Sequence, residues 1–295
     1  MIVARELTKI YSLVPALDHT SFDFKEGEII GVIGHNGAGK TTLLKILSGL
    51  ITPTSGDLTM NGIDVVRNPD GIKAALGYLS EESRLYETMT VEDYLRFFGE
   101  IYGLDQETIT SRRTQLLAAL SLEPNGKKIG EFSKGMKRKV AIARSLMHNP
   151  SVLIYDEPTS GLDPMTSRYI IGFLKDLRYE KKTIVLSAHN LFQVETICDK
   201  VMILRRGKMV AMGTMNELRE MFGSISYTIT FSIDDINTIR GCREYTFEGG
   251  LYRIPAESIE ELNTCTGIIA SKGGRVERIE SHYPSLEEML VKVGK

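Results

Sequence analysis

The stretch GHNGAGKTT, residues 34–42, sits directly after the apolar run EIIGVIG and directly before the helical-looking TTLLKILSGL. It fits the pattern G-x-x-x-x-G-K-[ST] at Gly34, Gly39, Lys40 and Thr41. A buried strand, a glycine-rich loop and a helix start in that order constrain the fold strongly, because each part has a physical task. Glycines let backbone N–H groups turn inward around phosphate oxygens, and the helix N-terminus adds positive potential. The Lys40 side chain has the reach for the β- and γ-phosphates and the Thr41 hydroxyl suits Mg²⁺, while His35, Asn36, Gly37, Ala38 and Thr42 complete the cradle. The expectation is an α/β fold that binds a nucleotide at a strand's carboxyl end.

A second element narrows the chemistry. The run SVLIYDEP ends an apolar strand in Asp156 and Glu157, and ligands in open α/β sheets bind at the carboxyl edge. Asp156 is placed to hold the hydration shell of Mg²⁺, and Glu157 to orient or deprotonate an attacking water.

The rhythm of the chain gives its organisation. Residues 1 to about 90 alternate short β-rich runs with turns, including an Asn61-Gly62 hairpin signal. Residues 91–148 read as a helical insertion in which Tyr94, Phe97, Phe98 and Ile101 recur at helical spacing, a stripe expected in the core. From 151 the text runs strand, helix, strand, helix, strand (SVLIYDE, MTSRYIIGFLKDL, TIVLSAH, LFQVETIC, KVMILRRGK), the pattern of a parallel sheet with covering helices. Near 221 it changes to SISYTITFSI, alternating apolar and polar residues at period two, as in a strand with one wet face. A Gly249-Gly250 turn, the strand-like RVERIES and a capping box of Ser285 with Glu288 follow. We therefore expect a main domain over 1–220 and a small α+β domain over 221–295, the latter a packing or dimer-supporting appendage rather than a ligand sensor.

The stretch EFSKGMKRKVAIARSL carries Lys134, Lys137, Arg138, Lys139 and Arg144 and invites a nucleic-acid reading. The whole chain opposes it. With 36 Lys and Arg against 38 Asp and Glu, a net charge of -2 offers no broad attraction for a polyanion. The N-terminal MIVARELTKIY builds no apolar signal-peptide core, and no apolar run reaches the roughly 18 residues of a membrane span, so any membrane role is expected to come through a partner. Cys198, Cys242 and Cys265 lack metal-ligand spacing and read as packing residues of a reducing compartment.

Taken together, these motifs resemble the ATP-binding-cassette (ABC) ATPases over most of residues 1–220. TSGLD, ending at Asp163, is similar to the family's D-loop, and SAH supplies its switch histidine, His189, which the resemblance places near the γ-phosphate. Tyr11 is similar to the aromatic residue that stacks on adenine. FSKGMKRKVAIARSL resembles the signature, with Ser133 and Gly135 where the family's Ser and Gly stand. In a head-to-tail dimer that segment caps the γ-phosphate bound by the opposite subunit, so the basic residues would serve ATP. Lys134 replaces the first signature glycine, Met136 the glutamine, and Glu81 stands for the Q-loop glutamine, near Mg²⁺ and water.

These departures, with YPSLEEMLVKV near the C-terminus, are similar to the subgroup that drives drug and antibiotic-peptide exporters. The resemblance implies a P-loop NTPase core of mixed sheet, with an antiparallel β subdomain and a helical subdomain. It further implies ATP and Mg²⁺, a second ATP-binding subunit (the same chain or a paralogue) and a membrane-spanning subunit docked beside residues 81–103 at the cytoplasmic face. Alternatives are a soluble ABC protein acting on ribosomes or DNA, opposed by the single P-loop and the absence of a long heptad run, and a regulatory protein that holds ATP without hydrolysing it, opposed by Glu157 and His189.

Overall fold

The computed structural model describes residues 1–223, 225–236, 239 and 245–294. Two compact units divide at Met215/Asn216. In chain order the first contains β1 (Ile2–Tyr11), β2 (Val14–Phe24), β3 (Ile29–Ile33), α1 (Lys40–Leu47), β4 (Ser55–Met60), β5 (Ile63–Asp64) and β6 (Leu76–Leu79). The helices α2 (Val91–Ile101), α3 (Gln106–Ala119) and α4 (Lys134–Leu146) come next. They are followed by β7 (Val152–Tyr155), α5 (Pro164–Asp176), β8 (Thr183–Ser187), α6 (Leu191–Ile197), β9 (Lys200–Arg205) and β10 (Lys208–Gly213).

Two sheets organise this unit. One is antiparallel, in the order β2-β1-β4-β5, and its last hairpin turns through Asn61 and Gly62, both at positive φ. The other runs β10-β9-β3-β8-β7-β6, parallel throughout except for the β10 edge. Its central strands are continuous apolar runs, and every residue of β3, β7 and β8 is buried, as a sheet covered on both faces requires. The main core joins Phe22 and Phe24 of the first sheet, Leu43, Leu44 and Leu47 of α1, and Val32, Ile154 and Val185 of the second. Helix α1 is thereby packed against both sheets, and the loop that precedes it is held in place.

Helices α2, α3 and α4 pack on one another as a separate layer, each opened by a side-chain cap: Thr90, Asp105 and Ser133 accept from the N–H groups of Asp93, Thr108 and Met136. The aromatic stripe on α2 is only partly core, a correction to the sequence reading. Tyr94 is buried, but Phe97 is 37% and Ile101 60% exposed. The helix turns Val91, Tyr94, Leu95 and Gly99 inward instead, with Gly99 so close to Ile109 of α3 that a Cβ there would overlap its side chain.

The second unit, from Asn216, includes most of α7 (Met215–Phe222), then β11 (Ser226–Ser232), β12 (Thr246–Glu248), β13 (Leu251–Ala256), α8 (Ile259–Ser271), β14 (Arg275–His282) and α9 (Leu286–Gly294). The sheet is antiparallel, ordered β12-β13-β11-β14. Ile229, Phe231, Ile254 and Ala256 pack against Leu262, Cys265 and Ile269 of α8. The expected wet face of β11 is covered at Thr230, which is 6% exposed. The capping box is present: Ser285 N–H donates to Glu288 Oε2 at 2.8 Å and Glu288 N–H to Ser285 Oγ at 3.3 Å. Cys265 is buried and burial raises the Cys198 thiol pKa far above its usual value, whereas Cys242 lies outside the described residues.

Candidate nucleotide-binding site

The loop between β3 and α1 has the shape its glycines allow. Gly34 (φ 154) and Gly39 (φ 107) adopt backbone that L side chains rarely take, and a Cβ on either would run into a carbonyl oxygen, that of Leu204 or of Ala16. Helix α1 starts after Gly39 with no side-chain cap, which leaves its first N–H groups and the positive helix end facing the loop. Lys40 folds back over that loop, its Nζ donating to Gly34 O at 2.7 Å and His35 O at 3.3 Å. Burial lowers the pKa of its ammonium, and the negative charges of Glu157, Asp156 and Glu81 oppose that shift.

The acidic pair stands at the end of β7, beside the end of β8. Ser187 Oγ donates to Asp156 Oδ1 at 2.6 Å and accepts from Glu157 N–H at 2.9 Å, so one hydroxyl ties both residues to the neighbouring strand. Glu157 takes a left-handed backbone at φ 50, a conformation uncommon outside glycine that accumulates at functional sites. Its Oε2 accepts from His189 N–H at 3.1 Å, and its Oε1 lies 3.4 Å from His189 Nε2 but is buried without a hydrogen bond. Burial raises the carboxyl pKa above 4.5, and His189, in charge and through its N–H, and Lys40 pull against it.

A cleft of about 390 Å³ gathers these groups. Tyr11, Ala16, Asn36, Gly37, Ala38, Gly39, Lys40, Thr41, Thr42, Glu81, Glu157 and His189 line it, and Asp156 lies buried beneath. Tyr11 is 47% exposed at the rim, available for stacking. Gly34 and His35 turn their carbonyls to Lys40 rather than lining the cleft. Ser133, Gly135 and Asp163 are not part of it. Ser133 caps α4, Asp163 caps α5 by accepting from Thr166 N–H at 2.9 Å, and Gly135 lets α4 approach Thr166, whose methyl a Cβ would meet at 2.9 Å.

Comparison with known proteins agrees with this geometry. Residues 17–160 match the family model described as ABC transporter. The ABC transporter ATP-binding protein NatA of Bacillus subtilis is 38% identical over 210 residues, 70% of this chain and 85% of its own. The chain belongs to the ATP-binding proteins of ABC transporters. The bacitracin transport ATP-binding protein BcrA of Bacillus licheniformis is 31% identical over 99% of this chain and 97% of its own. The linearmycin resistance ATP-binding protein LnrL of Bacillus subtilis is 35% identical over 80% and 76%. Among solved structures, an ATP-binding subunit of an ABC transporter superposes with a TM-score of 0.70 at 33% identity, covering 75% of this chain and 93% of that one. The dimeric ATP-binding cassette MJ0796, in a post-hydrolysis state with ADP and Pi, gives 0.67 at 25% identity over 73% and 99%. The family's members are ATPases that pair with membrane subunits and dimerise. No described helix here is long and apolar enough to cross a membrane.

In this ABC subunit the basic stretch is mainly a set of internal tethers, which corrects the expectation that its charges serve ATP. Arg138 is 6% exposed and donates to Ser80 O at 2.9 Å and Glu81 O at 2.5 Å. Arg144 donates to Tyr94 Oη and Tyr78 O, both at 3.3 Å, and lies over the Phe98 ring. Lys137 pairs with Glu87 at 2.7 Å and Lys139 lies over Tyr169. Lys134 extends toward Gly161 of its own chain, where an added Cβ would collide with its ammonium.

Sequence reasoning passed over Ser187 and the tethering role of Arg138. The first stands two residues before His189 in SAH and could have been found there; the second shows no signal in the sequence, because its partners are main-chain carbonyls far away along the chain.

Replacing Arg138 by Met is expected to cost about 1.5–3 kcal/mol, the scale of hydrogen bonds from a charged group, here to two part-buried carbonyls. Urea unfolding checks the stability, and amide exchange over 80–83 should rise; unchanged exchange would show that Arg138 does not hold this segment.

Proposed function

We propose that this subunit hydrolyses ATP to power an exporter, acting at the cytoplasmic face of the cell membrane as a head-to-tail pair with a second copy or a paralogue. The observation that carries the reading is the placement of the loop lysine, Lys40, and the buried Glu157 on one cleft, with Glu157 Oε1 free of hydrogen bonds. In this reading residues 1–220 are the ATP-binding domain and 221–295 an accessory domain.

Each side chain then has a physical role. Tyr11 stacks on the adenine, the N–H groups of residues 34–42 surround the phosphates, and the Lys40 ammonium moves from the Gly34 and His35 carbonyls to the β- and γ-phosphate oxygens. Glu157 orients the attacking water and accepts its proton as oxygen bonds to the γ-phosphorus and the bond to the ADP oxygen breaks. His189, beside Glu157, donates to the γ-phosphate. Thr41, Asp156 and Glu81 form the all-oxygen donor set that would hold Mg²⁺, a hard cation that supplies charge neutralisation at the phosphates when bound. Ser133, Gly135 and Asp163, which lie outside the cleft, act on the nucleotide of the opposite subunit and at the dimer contact.

Two further observations support the transporter side. Tyr86, Phe97, Ile101 and Tyr102 are 51, 37, 60 and 38% exposed, an apolar surface within residues 81–103 where a membrane-spanning subunit docks. Tyr86 and Phe97 belong to a ring cluster with Tyr94 and Phe98. The relatives named for bacitracin transport and linearmycin resistance support an antibiotic, drug or peptide as the exported substrate. None of these relatives favours action on ribosomes or DNA.

Calorimetry should find no nucleotide binding by Lys40→Ala, whereas Glu157→Gln keeps its affinity for Mg-ATP and elutes from gel filtration as a dimer. The raised Glu157 pKa means that its proton is held to higher pH than by an ordinary glutamate. Hydrolysis by the native chain should therefore fall with decreasing pH through a midpoint above 4.5. Unchanged ATP affinity in the first variant, or a monomeric second variant in Mg-ATP, contradicts the assignment. Gentle solubilisation of membranes from the native host, with mass spectrometry of whatever co-purifies stoichiometrically, should recover a multi-span protein; recovery with ribosomes or DNA would overturn the transporter reading.

A further inference from the structure

The accessory unit leaves one long strand unpaired at its edge. β14 is the last strand in the order β12-β13-β11-β14, and no described strand pairs with its outer side. It is eight residues long, against three for β12 at the opposite edge, and all of it except Val276 is exposed. A row of free N–H and C=O groups on such a strand is a template for another strand unless short length, proline or repelling charge blocks it. β14 has neither of the first two, and its charges follow a pattern.

The faces of the strand come from its register with β11. Pairing runs Ile229↔Ile279 and Thr230↔Arg278, then steps over Glu277 to Phe231↔Val276 and Ser232↔Arg275. This bulge puts Val276 and Ile279 on the face that packs against α8 and leaves Arg275, Glu277, Arg278 and Glu280 together on the other. Neighbouring charges along that face meet: Arg275 Nε lies 3.5 Å from Glu277 Oε1 and Arg278 Nη1 3.3 Å from Glu280 Oε1.

Read against itself in the antiparallel sense, Arg275-Val276-Glu277-Arg278-Ile279-Glu280 is self-complementary. With a two-fold axis between Glu277 and Arg278, Arg275 stands opposite the partner's Glu280, Val276 opposite the partner's Ile279, and Glu277 opposite the partner's Arg278. Each pair matches in face as well as in chemistry, the bulge included, and cross-strand neighbours of this kind are what stabilises a strand pair. The pattern also selects the register. A slip of one residue sets Arg278 opposite itself or Glu277 opposite itself, and a slip of two sets Arg275 opposite Arg278 or Glu277 opposite Glu280.

We propose that β14 is a homotypic docking strand, through which the accessory units of two copies join antiparallel across a two-fold axis into one continuous sheet. The occupant is a second copy of this chain because the charge sequence complements itself, and a two-fold contact closes without growing into fibres. The contact uses none of the nucleotide site and does not need ATP. A single strand pair buries much less than the roughly 1,200 Å² of a stable interface, so the association is weak in solution and gains from the high effective concentration of two copies held on one membrane assembly. It also favours two identical copies over a copy with a paralogue, whose β14 need not match.

The test is sedimentation equilibrium of the full chain in EDTA without nucleotide, up to about 0.5 mM because contacts of this size are weak. A monomer–dimer equilibrium is expected. Arg278→Glu, which faces the partner's Glu277 at two symmetric places, should raise the dissociation constant about tenfold. The double variant Glu277→Arg/Arg278→Glu restores opposite charges across the axis and should return it to within about threefold of the native value. Copies carrying Arg275→Cys mixed with copies carrying Glu280→Cys should form a disulfide between those two positions, mapped by mass spectrometry, under mild oxidation. A chain that stays monomeric throughout, a dimer indifferent to Arg278→Glu, a double variant as weak as the single one, or absence of the 275–280 link would each overturn the proposal. Because nucleotide is left out, none of these outcomes bears on the ATP-dependent pairing through Glu157.

Discussion

Parallel pairing of β3 with β8, and of β8 with β7, is the constraint from which the site follows. It brings the loop that ends in Lys40 to the same sheet edge as Asp156, Glu157 and His189. Lys40, Asp156 and Glu157 are 8, 3 and 6% exposed, so their charges sit where desolvation is costly and each depends on the others. The opposed influences on the Lys40 and Glu157 pKa values are two views of that dependence. An arrangement that keeps two carboxylates and an ammonium buried together suits a ligand that brings both negative phosphate and a cation.

The helical layer is tied to this edge by arginines. Arg138 and Arg144 of α4 reach the carbonyls of Ser80, Glu81 and Tyr78 at and just after β6. Glu81 lines the cleft while its carbonyl is held by α4, so one residue joins the cleft to the helical layer. Arg144 also contacts Tyr94 and Phe98, which continue into the exposed aromatic surface of α2. A run of basic residues that first suggests polyanion binding is, in the folded chain, a set of tethers from α4 to the segment after β6 that lines the cleft and to the aromatic cluster of α2.

The accessory unit follows different physics. Its sheet is covered by α8 on one face and leaves the other to threonines, serines and charges. The most specific surface of this unit is the edge of β14, where side-chain order alone selects a partner and a register.

Much of this was legible because it is local. The loop from Gly34 to Thr42, the strand ending in Asp156 and Glu157, the Asn61-Gly62 and Gly249-Gly250 turns and the capping box at Ser285 all depend on neighbours within a few residues. Backbone geometry and short-range hydrogen bonding decide such features in the sequence itself. The burial of the α2 stripe, the partners of Arg138 and the bond from Ser187 to Asp156 were not legible in that way. Helical spacing says that Tyr94, Phe97, Phe98 and Ile101 share a side of the helix, but only packing against α3 and α4 decides how far that side is covered. The sequence by itself determined a nucleotide loop, an acidic strand end and two units. Tertiary structure alone decided which charges meet, because burial and long-range strand order belong to the folded chain and not to any stretch of it.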